Sequence, residues 1–448
     1  MKFNLIESPI LKSLLMMSWS MSWGLFAVIG FNLADTYYIA QLGEIELASV
    51  SLCYPIVLIF FSLALGISTA VSSLVSRSIG SGNKNQAIRY TSDALMLSLI
   101  IVVLSILVGF TFLDGALSML GASELTKPIA TEYLTIWFYG MFFLTIPMVG
   151  NGAIRANGDM KVASLIMIVG AIVNVILDPL LIFGWNWIPA MGVKGAAIAT
   201  VIARSITLFA SLFVLKYKYK LLEFKTPKIN DVTEAWKKIL HLGIPAAGTN
   251  LLAPIGVTVV TAIIARMGED YLAAYGVVNK VESFFYIFFL SLSAALSPIV
   301  GQSLGAGRLK RVRRVMKQSI LLTIVWGAVS AVTLFYFSED IMIVFSDNPE
   351  VIKIGKLYFI LVPIAYGLYG IRIIISSFFN TIGKPIFSTS IAASYAFILF
   401  IPLVYIGNYL NGINGVFLAH CLSYLLIGFI SLYLLGKYIS RNWENSFE

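Results

Sequence analysis

The feature of this sequence that most restricts its fold is the length of its apolar runs. From residue 13 to residue 436, short polar segments alternate with long stretches dominated by Leu, Ile, Val, Phe and Ala. Crossing a hydrocarbon core about 30 Å thick takes roughly 20 residues of α-helix. Of the 448 residues, 59% are apolar and only 12% are charged, which is too little charge to cover a water-soluble domain of this length. The chain is therefore predicted to be an integral membrane protein.

The apolar runs predict an all-α protein with twelve transmembrane helices. Helices are required because lipid cannot pair with a free backbone N–H or C=O. The predicted spans cover residues 13–39, 47–76, 91–113, 131–152, 162–184, 193–215, 238–265, 275–300, 318–338, 353–376, 388–407 and 414–436. They divide into two six-helix lobes, 1–215 and 238–448, joined by a polar, lysine-rich connector at 216–237.

The charges between the spans predict the orientation of the chain. Loops after even-numbered spans are basic, with Arg77, Lys84 and Arg89 as an example. Loops after odd-numbered spans carry acids such as Glu44 and Glu46 and few Lys or Arg. Because basic loops stay on the cytoplasmic side, we expect both termini and the connector in the cytoplasm and the protein in the cytoplasmic (inner) membrane. This topology accounts for the net charge of +9 without a nucleic-acid partner.

An internal repeat with an offset of 225 residues relates the two lobes. The paired segments share glycines and small residues: Ala40–Ala48 with Ala265–Ala273, Gly80–Gly82 with Gly305–Gly307, and, at a slightly different offset, Gly192–Gly195 with Gly412–Gly415. Six spans is an even number, so both lobes enter the membrane in the same direction. The repeat therefore predicts a pseudo-twofold axis along the membrane normal, an arrangement that supports rocking of one lobe against the other.

Asp35 and Asp178 lie well inside predicted spans of the first lobe, where a charge is costly and needs an explanation. Asp35 falls in span 1 and Asp178 in span 5, and Asn174 shares a helix face with Asp178. Pro179 has no N–H, which frees the carbonyl of Val175. These oxygens suit a proton or a hard cation, with Na⁺ possible at Asp178 and Asn174. Protons are favoured, since two desolvated carboxylates repel each other and at least one should titrate near neutral pH.

The second lobe lacks acids at the equivalent positions. Under the repeat, Val260 takes the place of Asp35 and Leu403 that of Asp178, and spans 7 and 10 contain no Asp or Glu. The coupling chemistry is therefore expected in the first lobe.

Other polar residues within the spans also need partners. Lys280 and Glu282 in span 8 are too close in sequence to face each other, so each should have a separate partner, and a structural role and a substrate contact stay open for both. Arg204 in span 6 is expected to form an ion pair with protein, and His420 to be packed and hydrogen-bonded.

Together, the repeat, its Gly-x-Gly turns and the segment Asn151–Asp159 resemble the multidrug and toxic compound extrusion (MATE) family over essentially the whole chain. Asp35, Asn174 and Asp178 resemble the first-lobe acid site of the DNA-damage-inducible branch, whereas the branch with acids in spans 7 and 10 is not matched. The resemblance adds Thr200 to the cation-coupling site.

The same resemblance makes Asn151, Lys280 and Glu282 candidate residues of the substrate cavity. One departure is that residues 10–54 contain no proline, whereas relatives often have one in the first span. Bending of span 1 would have to rely on Gly24, Gly30 and its serines.

The resemblance implies a cation-coupled antiporter, with H⁺ favoured and Na⁺ possible. It would export amphipathic, often cationic compounds by alternating access. It would be no enzyme, need no cofactor and act as a monomer, and its natural substrate stays open.

The alternative is a lipid-linked glycan flippase of similar architecture, which should line its cavity with several Arg or Lys for phosphate groups. Here Arg204, Lys280 and Arg372 are available. An intramembrane enzyme is disfavoured because no catalytic motif is present.

Overall fold

A computed structural model describes residues 4–223 and 229–443 of the chain. Within these residues, eleven helices are long and apolar enough to cross a membrane. They are α1 (Ile10–Ala40), α2 (Glu44–Gly80), α3 (Lys84–Met119), α4 (Thr126–Ala156), α5 (Met160–Ile182), α6 (Val193–Tyr219), α7 (Ile229–Ala265), α8 (Glu269–Gly305), α9 (Leu309–Phe345), α10 (Pro349–Thr381) and α11 (Pro385–Trp443). The prediction of an all-helical membrane protein is confirmed.

The single helix α11 covers a region in which two spans, 388–407 and 414–436, were predicted. It has 59 residues and includes non-helical backbone at Asn411 and Gly412. Gly412 has φ 53° and ψ −136°, a conformation that favours glycine because other residues would place a Cβ against the backbone. A Cβ on Gly407 would collide with the carbonyl of Gly415, so the chain passes close to itself across this break.

The repeat seen in the sequence recurs in the backbone conformation of its glycines. Matching pairs have nearly equal positive φ angles: Gly43 (148°) and Gly268 (141°), Gly82 (75°) and Gly307 (70°), Gly158 (89°) and Gly383 (83°), and Gly192 (55°) and Gly412 (53°). Because positive φ is open mainly to glycine, these residues fix the same turns at corresponding places in the two halves of the sequence.

The described residues group into two compact units, one comprising residues 20–247 and the other residues 4–19 with 248–443. The chain passes from one unit to the other within α1 and within α7. We call them the first and the second unit. Lys225 and Lys228 of the predicted connector lie outside the described residues, and the lobe boundaries proposed from the sequence stay a prediction.

Within the first unit, small residues let helices approach closely. A Cβ on Gly152 of α4 would lie 2.5 Å from the carbonyl oxygen of Ser68 in α2, and one on Gly24 of α1 would lie 3.0 Å from Ser164 in α5. The helix α1 runs unbroken from Ile10 to Ala40, and Gly24 serves in it as a packing position.

Asp159 sets the start of α5 and ties it to the end of α6. Its Oδ1 accepts from the backbone N–H of Val162 at 3.1 Å, capping the helix. Its Oδ2 accepts from Lys218 Nζ at 3.0 Å and from the Tyr219 hydroxyl at 2.5 Å. Burial acts to raise the pKa of Asp159, but these hydrogen bonds outweigh it and hold the pKa below its ordinary value.

Candidate functional site

The centre of the candidate site is a buried carboxylate–amide pair on α5. Asn174 and Asp178 are 2% and 0% exposed. Asn174 Nδ2 donates to Asp178 Oδ1 at 3.1 Å and to Thr200 Oγ1 on α6 at 3.3 Å. The spacing of four residues thus places both α5 side chains on one face, and the amide joins the acid to α6.

Three side-chain oxygens of this region are buried and have no hydrogen-bond partner among the described residues. They are Asp35 Oδ1, Asn174 Oδ1 and Asp178 Oδ2. Buried polar atoms in folded proteins are almost always paired, so a cluster of unpaired oxygens fits a site for protons or a cation. The Asp35 and Asp178 carboxyls are close enough to interact electrostatically, and both also act on the Tyr133 hydroxyl.

A cavity of about 650 Å³ in the first unit borders this oxygen cluster. Asp35 and Thr200 line it, whereas Asp178 and Asn174 are not part of its lining and connect to it through the Asn174–Thr200 hydrogen bond. Its walls are rich in aromatic side chains: Phe31, Tyr54, Phe61, Tyr133 and Trp137. Thr200 therefore belongs both to the cavity surface and to the buried hydrogen-bond network, which links cavity contents to Asp178.

Arg204 is the basic residue of this cavity lining. Its guanidinium lies over the Phe31 ring at 5.2 Å from the centroid. The predicted ion pair is wrong, because no carboxylate among the described residues lies within 4.0 Å of it. The aromatic face supplies the attraction that an acid was expected to supply, so the guanidinium keeps its capacity to bind an anion.

The three candidate substrate-cavity residues are not brought together. Asn151 on α4 has a buried, unpaired Oδ1 but is not in the wall of the 650 Å³ cavity. Lys280 and Glu282 belong to the second unit, where Lys280 is exposed and Glu282 is 5% exposed. The expectation that each has a separate partner holds for Glu282, which accepts from tyrosine hydroxyls, whereas Lys280 has no hydrogen-bond or ion-pair partner among the described residues.

Sequence reasoning missed the aromatic cavity walls and a set of tyrosines around Glu282. The Tyr358 hydroxyl donates to Glu282 Oε1 at 3.1 Å, and the Tyr286 hydroxyl donates to the same oxygen. The repeat could have pointed to Tyr358, because at the offset of 225 residues it corresponds to the cavity-lining Tyr133. His420 is buried at 3% exposure, and its Nδ1 lies 3.4 Å from the Tyr358 hydroxyl.

Comparisons with known proteins agree over most of the chain. The MatE family model matches residues 20–180 and 245–406. The FAD transporter of Shewanella oneidensis is 35% identical over 433 residues, covering 97% of this chain and 96% of that protein. The probable multidrug resistance protein YoeA of Bacillus subtilis is 26% identical over 408 residues, covering 90% and 87%.

Solved structures show the same fold. A mutant of the Vibrio cholerae MATE transporter VcmN superposes with a TM-score of 0.93 at 25% sequence identity, covering 98% of this chain and 99% of that one.

Proposed function

This chain belongs to the MatE family of multi-pass membrane transporters, and from that premise we propose that it is a cation-coupled antiporter that exports small amphipathic molecules. The observation that carries the proposal is the cluster of unpaired oxygens of Asp35, Asn174 and Asp178 beside an open, aromatic-walled cavity. A coupling ion and an exported molecule would then meet at one wall of the first unit.

The proposed exchange depends on charge. With Asp35 and Asp178 ionised, the site carries negative charge in an apolar setting and attracts a cation or a cationic cargo. Proton entry neutralises the carboxyls and removes that attraction, so cargo is released. An ion can shift a conformational equilibrium only by its different affinity for the two states, and a charge-neutralising proton supplies such a difference.

Protons are the preferred coupling ion, with Na⁺ as the alternative. A sodium site would need about five or six oxygen ligands by analogy with other hard cations. Asp35, Asp178, Asn174 and Thr200 offer several, but Asn174 Nδ2 and not its oxygen faces Asp178 and Thr200. The N–H donor stabilises the ionised Asp178 carboxylate, and its second oxygen, which has no partner among the described residues, can take up a proton.

The finer architecture belongs to the same proposal. We take α11 as two spans divided at Asn411 and Gly412, which gives twelve spans in two six-helix lobes. The basic loops support cytoplasmic termini, a cytoplasmic connector at 216–237 and insertion in the inner membrane. The position of the acids in α1 and α5 supports assignment to the DNA-damage-inducible branch.

Arg204 favours a second candidate for the cargo, a flavin nucleotide. A guanidinium without an acid partner can pair with phosphate, and aromatic walls can stack planar rings. The relative that is 35% identical is named an FAD transporter. The flippase alternative gains less support, because Arg204 is the basic residue of the lining while Lys280 is exposed and Arg372 is buried.

The test is uptake into inverted membrane vesicles, whose interior corresponds to the outside of the cell. In separate experiments the vesicle interior is made either more acidic or richer in Na⁺ than the outside, so that the coupling ion flows out, and uptake of FAD and of a cationic dye is followed. We expect the proton gradient to drive uptake above vesicles that contain the Asp178→Asn variant. Equal uptake in both vesicle types under both gradients would refute coupled export through this site.

A further inference from the structure

The second unit contains a buried acid that the proposed antiport does not use. Glu282 on α8 is 5% exposed, and no Lys or Arg among the described residues lies within 4.0 Å of its carboxyl. Its partners are phenol hydroxyls from two helices, Tyr286 of α8 and, at 3.1 Å, Tyr358 of α10. A buried carboxylate without a cation is costly, so these donors are what make an ionised state attainable.

Two hydrogen-bonded branches lead away from this carboxyl. The Tyr286 hydroxyl lies 2.7 Å from the Tyr424 hydroxyl of α11. On the other branch, Tyr358 Oη lies 3.4 Å from His420 Nδ1, and His420 Nε2 is buried without a partner among the described residues. Tyr286 is only half-buried, so the branch through Tyr286 and Tyr424 includes a residue that is partly exposed at the surface of the unit.

The remaining titratable and charged groups around the cluster are few. Tyr275 of α8 is close enough to feel the charge of Glu282, and Arg372 of α10 lies 4.5 Å above the Tyr369 ring and 4.9 Å above the Tyr395 ring of α11. The cluster thus holds one acid, one guanidinium separated from it by tyrosines, and one histidine.

The repeat places this cluster where the first unit has its cavity. Four cavity-lining residues of the first unit have polar or acidic equivalents in the second: Val57 and Glu282, Phe61 and Tyr286, Tyr133 and Tyr358, and, across the glycine turns, Thr200 and His420. The second unit therefore lacks the acids of α1 and α5 but has an acid on a different helix, surrounded by equivalents of the same lining positions. The expectation that only the first lobe can take part in coupling does not account for this arrangement.

We propose that Glu282 is a second proton-binding site, in which the Tyr286 and Tyr358 hydroxyls donate to the ionised carboxylate, and in which Tyr358 turns to donate to His420 Nδ1 once the carboxylate is protonated. On protonation, one proton from water bonds to a carboxylate oxygen and gives a neutral acid, whose O–H donates to a neighbouring phenol oxygen. That phenol then donates onward, through Tyr358 to His420 Nδ1 or through Tyr286 to Tyr424. The inference rests on the proposed antiport only in that it adds a second proton to the cycle.

The test reads protonation directly and does not require transport. Purified protein in lipid, labelled with ¹³C-glutamate, is examined by infrared difference spectroscopy between alkaline and acidic pH. We expect a carbonyl band of a protonated glutamic acid that rises on acidification, disappears in Glu282→Gln, and persists in the control Glu269→Gln, which alters an exposed acid at the start of the same helix. Absence of the band at every pH, or its presence at full height at every pH, would show a fixed structural carboxyl and overturn the proposal.

Two further variants keep the test decisive. If Glu282→Gln does not fold, Tyr358→Phe should shift the frequency of the same band, because it removes a hydrogen bond to that carboxyl; an unshifted band would count against the assignment. In Asp178→Asn the glutamic acid band should remain. If the Glu282 band titrates but Asp178→Asn exports as well as the wild type, the proposed function fails and this inference stands. If export depends on Asp178 but the Glu282 band does not titrate, this inference fails and the proposed function stands.

Discussion

Asn174 donates to Asp178 across one turn of α5, with 3.1 Å between Nδ2 and Oδ1, and the same amide nitrogen reaches Thr200 at 3.3 Å. Because the amide donates in both directions, its own oxygen and Asp178 Oδ2 are left without partners. Both oxygens can therefore accept a hydrogen bond from a protonated carboxyl or coordinate a cation.

Removing either acid should abolish coupling without preventing insertion. Asp35→Asn and Asp178→Asn keep the side-chain shape but cannot ionise, so we expect gradient-driven efflux to fall to the level of membranes without the protein. Membrane abundance should stay near that of the wild type. Asp114→Asn is the matched control, since its side chain is 85% exposed and pairs with Lys127. Normal drug resistance in cells that express either acid variant would contradict the assignment.

Cargo binding should release protons. If the ionised carboxyls hold a cationic cargo, then binding in detergent without Na⁺ should acidify a weakly buffered solution between about pH 6 and pH 8. The release should disappear in Asp178→Asn. Binding that releases no protons and that weakens as Na⁺ is added would instead establish sodium coupling.

Arg204 should distinguish the two candidate cargoes. Arg204→Gln removes a charged donor worth roughly 1.5–3 kcal/mol, so FAD transport should fall about tenfold or more. Transport of a cationic dye should be unchanged or increased. Arg204→Lys should restore FAD transport only in part, because the ammonium cannot form the two-pronged contact of a guanidinium. Equal losses for both cargoes would indicate a structural role.

Asp159 should contribute to stability in a pH-dependent way. Its folded-state pKa lies below its ordinary value, so its contribution is present above the ordinary value near 3.9 and is lost as the pH falls through the lower one. Asp159→Ala, which also loses the α5 cap, should cost about 1 kcal/mol at about pH 7. The difference should shrink below about pH 3, as measured by thermal unfolding in detergent. The exposed Glu44→Gln should show no such trend.

The orientation can be tested with cysteines in a chain that carries Cys53→Ala and Cys421→Ala. Lys237→Cys, at an exposed position near the start of α7, should react with a membrane-impermeant thiol reagent only after permeabilisation. Asp340→Cys, at an exposed position in the second half of α9, should react in intact cells. The reverse pattern would invert the topology derived from the basic loops.

The sequence was sufficient for the all-helical membrane fold and for placing Asn174 and Asp178 on one helix face, because both follow from local patterns, but it predicted two spans where the structure has the single helix α11. It could not show that Arg204 would lie over the Phe31 ring instead of pairing with an acid, because a cation–π contact has no charged partner that a search for opposite charges would find. It also could not assemble the tyrosines around Glu282, which come from helices separated by about 70 to 140 residues. The offset of the repeat was the one available guide, because it relates Tyr358 to Tyr133.

The passage of α1 and α7 between the two units has a consequence for dissecting the protein. A cut in the connector would not release two self-sufficient halves, since the N-terminal fragment would keep residues 4–19, whose Leu5 and Ser8 carbonyls accept hydrogen bonds from Arg311. The C-terminal fragment would in turn keep the start of α7, where Trp236 donates to the backbone of Asp93. Each fragment would contain residues that complete the unit formed mainly by the other fragment, so co-expressed halves should be active only when the two fragments associate.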